Sequence, residues 1–226
     1  MLFSIGGDGC FRITLRRAQD RVAPIMMRFA LTLLARFITG AGSAHWIGCA
    51  PETKQRIYFA NHTSNLDALI LWAGLPLAVQ KVTRPVAAHD YWTGDPLRLY
   101  MARNVFNAIL IERKQVTISN NPIPQILEAM GTECSIIIFP EGKRNFGPEV
   151  GEFKSGLFHL AKGRPDVELV PVLLQNLNRI LPKGEFLPVP LIGSIYFGTP
   201  MRLEEGERKA DFLIRARQAV ESMRKE

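Results

Sequence analysis

Beyond about residue 45, apolar positions come in short runs rich in Ile, Val and Phe, separated by segments where apolar and polar residues recur at helical spacing. Residues 57–60, 86–88, 108–111, 135–139, 169–174 and 192–197 carry the first pattern and are predicted strands. Residues 64–75, 122–131, 156–162 and 209–225 carry the second and are predicted helices. The run Ile136, Ile137, Ile138 and Phe139 has no polar alternation, so it suits a strand covered on both faces, as in a parallel sheet between helices. The expected fold class is α/β: a single domain with a central, largely parallel or mixed sheet flanked by helices. The proline-rich span 181–190 interrupts the pattern and is expected to be a surface excursion or a lid. No internal repeat, low-complexity tract or long polar linker divides the chain.

The first 45 residues read differently. At about 100° per residue, Arg17, Arg21, Arg28, Thr32 and Arg36 fall on one helical face, and Ile25, Met26, Phe29, Leu33, Leu34 and Phe37 take much of the rest. Pro24 kinks or restarts the helix, so residues 1–45 are expected to form an N-terminal amphipathic helix pair, with residues 46–226 as the main domain. Such a pair can lie in a lipid headgroup layer with its arginines on phosphates, or pack its apolar face on the core; the pattern serves both. Arg16 and Arg17 ahead of the apolar stretch 22–39 imitate a twin-arginine export signal. Arg28 and Arg36 interrupt that stretch, leaving less than the run of about 18 apolar residues that a membrane span requires.

Composition narrows the choice of partners. With 226 residues, 47% of them hydrophobic, the chain can bury a sizeable core and is not a disordered segment. A formal net charge of +7 favours an anionic partner: nucleic acid, a phospholipid surface, or a phosphorylated cofactor or carrier protein. No basic stripe interleaved with aromatics is present, so nucleic acid is not expected. Cys10, Cys49 and Cys134 are odd in number and widely spaced, with no zinc or disulfide pattern, which fits a reducing cytoplasm.

Candidate chemistry concentrates in Asn61, His62, Thr63, Ser64, Asn65, Leu66 and Asp67, where the predicted strand gives way to an apolar helix. His62 and Asp67 would diverge by about 140° on a helix and lie roughly 16 Å apart in an extended chain, so only a turn lets them meet. If Ser64 caps the helix, Asp67 is its third residue and His62 sits in the preceding turn. Ser64 and Asp67 read equally well as a plain capping box, with His62 a loop residue. In the functional reading, Asp67 fixes the tautomer of His62, and His62 takes a proton from an acceptor hydroxyl as that hydroxyl attacks a carbonyl. No Ser or Cys nucleophile is needed.

The same segment resembles the His-x4-Asp signature of the glycerolipid acyltransferases, the family that includes 1-acyl-sn-glycerol-3-phosphate acyltransferases. Three further blocks follow in the family's order: AILIERK with Arg113, IIIFPEGKRN with Phe139, Pro140, Glu141, Gly142 and Arg144, and LVPVLL around Pro171. The resemblance covers about residues 57–200. It implies that residues 46–226 are the catalytic domain and that Arg113, Glu141, Gly142 and Arg144 bind the acyl acceptor. Arg113 and Arg144 suit a phosphate through bidentate hydrogen bonds, and Gly142 allows positive φ or close backbone approach. Taken singly, Arg113 is also readable as a surface charge at a strand end, and Glu141 as a salt-bridge partner of Lys143 or Arg144. Downstream, GEFKSGLFHLA resembles the family's continuation, and Lys154 adds positive potential over the acceptor phosphate.

Four positions depart from the family pattern: Lys143 where Thr is usual, Asn145 for Ser, Glu112 for Asp, and Asn107 for Gly. None removes His62, Asp67 or the arginines, but Lys143 adds a charge that strengthens phosphate binding or suits a different headgroup. The implied activity is transfer of a fatty-acyl group from acyl-CoA or acyl-carrier protein to the hydroxyl of 1-acylglycerol-3-phosphate, in phospholipid synthesis. Other acceptors are glycerol-3-phosphate, another lysolipid or an amino-acid lipid, and a non-catalytic membrane-associated protein is the alternative of another class. The expected partners are a lysophospholipid or glycerol phosphate, the acyl donor and an anionic membrane surface. No cofactor or metal is expected, and the place is the cytoplasmic face of a membrane, peripherally bound.

Overall fold

The computed structural model describes residues 26–27, 29–33, 44–64, 66–112, 121–145, 147, 149–175 and 193–224. In chain order these form β1 (Ala44–Trp46), β2 (Arg56–Ala60), α1 (Asp67–Gly74), α2 (Leu77–Lys81), β3 (Thr83–Ala88), α3 (His89–Trp92) and α4 (Pro96–Tyr100). A π-turn (Met101–Val105) leads to β4 (Ile109–Ile111), α5 (Pro122–Met130), β5 (Ser135–Ile138), α6 (Gly156–Gly163), β6 (Glu168–Gln175), β7 (Ser194–Phe197) and α7 (Lys209–Glu221). Seven strands build one sheet in the order β1-β7-β6-β2-β5-β3-β4. Every pairing is parallel except β6 with β7.

Continuous apolar strands fill both faces, as their lack of alternation demands. Ile57, Phe59, Ile136 and Ile138 face one cluster with Ile126 and Met130 of α5, Leu157 and Leu160 of α6, and Phe212, Ala216 and Val220 of α7. Tyr58, Ala60 and Ile137 face the other with Ile70, Leu71 and Trp72 of α1, Val79 of α2, and Phe106. The sheet is thus the middle layer of three, and the predicted α/β architecture is the one observed.

Two prolines sit where the ladders tolerate a missing N–H. Pro171, in the interior strand β6, lies between the bridge Leu169 to Met201 and the β7 ladder, and its carbonyl accepts from Gly198 N at 2.9 Å. Pro85 lies where β3 changes partner. Thr83, Arg84 and Pro85 pair with β5, whereas Val86, Ala87 and Ala88 pair with β4. Past Pro85 the sheet therefore splits between β5 and β3.

Some predicted bounds shift. β3 begins at Thr83 rather than residue 86, and α1 begins at Asp67 rather than residue 64. β1 was not expected and crosses the predicted boundary at residue 45, tying Ala44 to Ile195 in β7. The proline-rich span 181–190 and most of the N-terminal region lie outside the described residues. Within that region residues 26–27 and 29–33 are helical; Leu31 packs against the α1-side cluster and Thr32 is buried, while Met26, Phe29 and Leu33 are 67%, 57% and 51% exposed. Thr32, expected on the polar face with the arginines, thus turns inward. Among the described residues no helix is long and apolar enough to cross a membrane.

Candidate active site

β2, β5, β3 and β4 all end on one side of the sheet, so the turns that follow them face a common crevice, the usual ligand position in open parallel sheets. The first turn is set by Asn61, a buried residue whose amide donates to Leu174 O at 3.0 Å and accepts from Leu174 N at 2.8 Å. Its side chain thereby continues the β2 to β6 ladder after the backbone has left it.

His62 comes next. Its Nδ1 lies 2.9 Å from Asp67 Oδ2, and the same oxygen accepts from Thr63 N at 2.6 Å and Ser64 N at 2.8 Å. Asp67 is the first residue of α1 and fully buried. The expected cap at Ser64 is not what holds the turn: Leu66 is in the cap position with no side-chain bond, and Ser64 Oγ accepts from Leu66 N at 3.2 Å. Asp67 instead reaches back over the turn, serving its backbone and the imidazole together. With Nδ1 donating to a carboxylate, Nε2 is left as the acceptor nitrogen of a neutral ring. The ring stacks on Phe139, with centroids 4.5 Å apart and planes 27° from parallel.

The second turn follows β5. Phe139 O accepts from Gly142 N at 3.0 Å, closing a turn over Pro140 and Glu141, and Gly142 holds φ +68°, where a side chain is strained. A Cβ at Gly142 would meet Lys154 Nζ at 2.9 Å, so the glycine also makes room for that lysine's stem. Glu141 is buried, with Oε1 accepting from His62 N at 2.8 Å and Oε2 from Gly151 N at 3.1 Å. Burial raises its carboxyl pKa, and the two backbone N–H groups oppose the rise. Asn145 N donates to His62 O at 2.7 Å. The loop thus holds both backbone groups of His62.

Between these turns lies a groove of about 380 Å³. It occupies the split in the sheet, so its walls come from both faces: Ala87 and Trp92, with Phe106 beyond the π-turn, and Ile126, Leu157 and Leu160 from α5 and α6. His62 lines it, and Lys143, Arg144 and Lys154, all exposed, line the same end. An apolar trough with an imidazole and three cationic side chains at its mouth matches an amphiphile with an anionic head.

Of the residues singled out in the sequence, His62, Asp67, Glu141, Gly142, Lys143, Arg144 and Lys154 converge here; Arg113 lies outside the described residues. Glu141 differs in its contacts, spending both oxygens on backbone amides. Asn61, Phe139 and the Asn145 amide complete the arrangement, and nothing in their spacing marks them for it.

A family model described as Acyltransferase matches residues 47–175. The alpha form of 1-acyl-sn-glycerol-3-phosphate acyltransferase from Mus musculus is 27% identical over 163 residues, which cover 69% of this chain and 53% of that protein. A probable 1-acyl-sn-glycerol-3-phosphate acyltransferase from Mycoplasma pneumoniae is 30% identical over 112 residues, 48% and 40% of the two chains. The chain spans about half the length of the curated relatives it matches. The crystal structure of the 1-acyl-sn-glycerophosphate acyltransferase of Thermotoga maritima shares the fold at a TM-score of 0.66 and 17% identity, covering 93% of this chain and 90% of that one. The family match runs through more than half of the sequence and takes in both turns around His62, and by it the chain belongs to the acyltransferase family.

Proposed function

We propose that this protein transfers a fatty-acyl group from a thioester, acyl-CoA or acyl-carrier protein, to the free hydroxyl of a 1-acylglycerol-3-phosphate. The observation that carries the reading is the pairing of His62 with Asp67 at the cationic mouth of an apolar groove. Lys143, Arg144 and Lys154 hold the acceptor phosphate, joined by Arg113, and the acyl chains lie along the groove. His62 Nε2 removes the hydroxyl proton as the oxygen attacks the thioester carbonyl carbon. The tetrahedral intermediate collapses by breaking the carbon–sulfur bond, and the imidazolium returns its proton to the thiolate, giving ester and thiol. Asp67 keeps Nδ1 protonated throughout and stabilises the transient imidazolium. Held together, hydroxyl and thioester react at high effective concentration.

The names of the relatives favour lysophosphatidic acid as acceptor. The test is acylation of a panel of lysolipids and glycerol-3-phosphate by purified protein with radiolabelled acyl-CoA, wild type beside His62→Ala. The expected result is labelled phosphatidic acid from wild type and a loss of roughly 100- to 10,000-fold in the variant. Labelling of another acceptor alone would move the assignment to that molecule; equal activity of the two proteins would overturn the role of His62.

A further inference from the structure

The geometry points to Glu141 as a positioning residue that holds the base in place through the main chain, and not as a ligand of the acceptor; this rests on the acyl-transfer reading above. Three observations carry it. First, the carboxylate is buried and committed: Oε1 accepts His62 N at 2.8 Å and Oε2 accepts Gly151 N at 3.1 Å. A carboxylate beside the site would repel a phosphate, and burying it is costly unless its bonds are structural. Second, the grip is double. Glu141 takes the N–H of His62 while Asn145 N donates to its carbonyl at 2.7 Å, so the loop seizes the peptide groups on both sides of the residue. Lys143 and Arg144 lie between those two anchors in sequence, which ties their backbone to that of His62.

Third, the far oxygen of Glu141 is itself anchored. Gly151 follows Val150, whose N–H donates to Glu221 Oε2 at 2.9 Å and whose carbonyl accepts from Arg217 Nε at 2.8 Å. Both partners belong to α7, so the chain of contacts runs from α7 through Val150, Gly151 and Glu141 to His62. Gly151 also has no room for a side chain, because a Cβ there would collide with Glu141 Oε2. Asp67 fixes how the imidazole is turned; Glu141 fixes where the residue that bears it stands. A misplacement of about 1 Å in such a site costs on the order of 100-fold in rate.

The test is Glu141→Gln, which keeps the shape but offers only one acceptor oxygen, so either His62 N or Gly151 N faces an amide nitrogen. The expected result is a fall in kcat of roughly 10- to 100-fold, with KM for the lysolipid and for the acyl donor within about threefold of wild type. In histidine-labelled protein, the NMR signal of the His62 ring proton bound to Asp67 is expected to broaden or vanish in the variant. A rise in lysolipid KM of about tenfold or more with kcat preserved would make Glu141 an acceptor ligand and overturn the inference, as would unchanged kinetics. If Glu141→Gln does not fold, Glu141→Asp, which keeps the charge but falls one methylene short, is expected to show the same selective loss of kcat. If wild type acylates no acceptor, the proposed function fails, and the NMR signal still decides: an unchanged His62 ring proton in the variant overturns the positioning role.

Discussion

Asp67 Oδ2 receives N–H groups from Thr63, Ser64 and the His62 ring, all within 2.9 Å, so one buried atom shapes the turn and orients the imidazole. Asp67→Asn separates these tasks. An amide oxygen still accepts backbone N–H groups, but without charge it neither selects the His62 tautomer strongly nor stabilises the imidazolium. The expected outcome is a loss in kcat of roughly 100- to 10,000-fold with the melting temperature little changed, read from thiol release and a thermal scan. Activity within about threefold of wild type would show that the base needs no carboxylate partner. At this scale the sequence exposed the chemistry better than the geometry. His62 and Asp67 are legible as a pair because the blocks that follow in family order decide a spacing that by itself suits a capping box equally well. The cap was misplaced because Ser-x-x-Asp suits two arrangements, and the one realised uses the aspartate, not the serine, on the orphan amides. Glu141 stands among cationic neighbours and so invites a headgroup or ion-pair role; that its carboxylate is folded back onto His62 N depends on a contact 79 residues away in sequence. Asn61 is equally opaque, since its use depends on Leu174 lying beside it.

Pro85 shows how one residue at an element's interior opens a site. It hid the first half of β3 from a hydrophobic-run argument, and it marks where that strand leaves β5 for β4, creating the split the groove occupies. The buried runs of β2, β5 and β6 were readable because burial on both faces leaves a continuous apolar stretch with no alternation to misjudge. β1 and the short helices α2 to α4 were not, since Ala44, His45 and Trp46 form no such stretch and a helix of four or five residues completes little more than one turn. Ala87, on β3 past the split, lines the groove. Ala87→Phe is expected to shorten the usable trough, lowering turnover of long-chain relative to short-chain thioesters by about tenfold, the worth of about two buried methylenes. An unaltered chain preference would place the acyl chain elsewhere. At the other end of the chain, Arg215 of α7 clasps Glu207 with Nε to Oε1 at 2.8 Å and Nη2 to Oε2 at 2.6 Å. The guanidinium holds the Glu207 carboxyl below its ordinary pKa. A depressed carboxyl stabilises the fold fully above the unfolded glutamate range and loses that contribution as pH falls through the folded value. Glu207→Gln is therefore expected to cost about 0.5–1 kcal/mol near neutral pH and almost nothing in acid. Chemical denaturation across pH reads this directly, and an equal cost at both ends would remove the charge from the account.

At the scale of the whole molecule, the exposed apolar residues Met26, Phe29 and Leu33 and the cationic rim of the groove are two separate features that a lipid surface would engage. The helical residues 26–27 and 29–33 rest on the α1-side cluster through Leu31, and that cluster includes Leu69, Trp92, Phe106 and Phe139, all of which line the groove. Met26, Phe29 and Leu33 point away from it into solvent. Exposed apolar side chains on a helix that already has a buried side are available to a further apolar partner, such as a lipid surface. We propose a lipid surface as the anionic partner, because a net charge of +7 and a cationic groove rim both favour anionic headgroups. These two contributions separate in one experiment. Removing residues 1–40 should weaken sedimentation with anionic vesicles by about tenfold or more, since it takes away buried apolar area and several arginines together. Raising ionic strength should weaken binding of the full chain by screening its charges, yet leave a residue of binding that the truncated protein lacks, because burial of Met26, Phe29 and Leu33 is insensitive to salt. Should the truncated protein sediment as well as the full chain at both ionic strengths, the exposed residues have another partner, and the membrane is met through the charged rim alone.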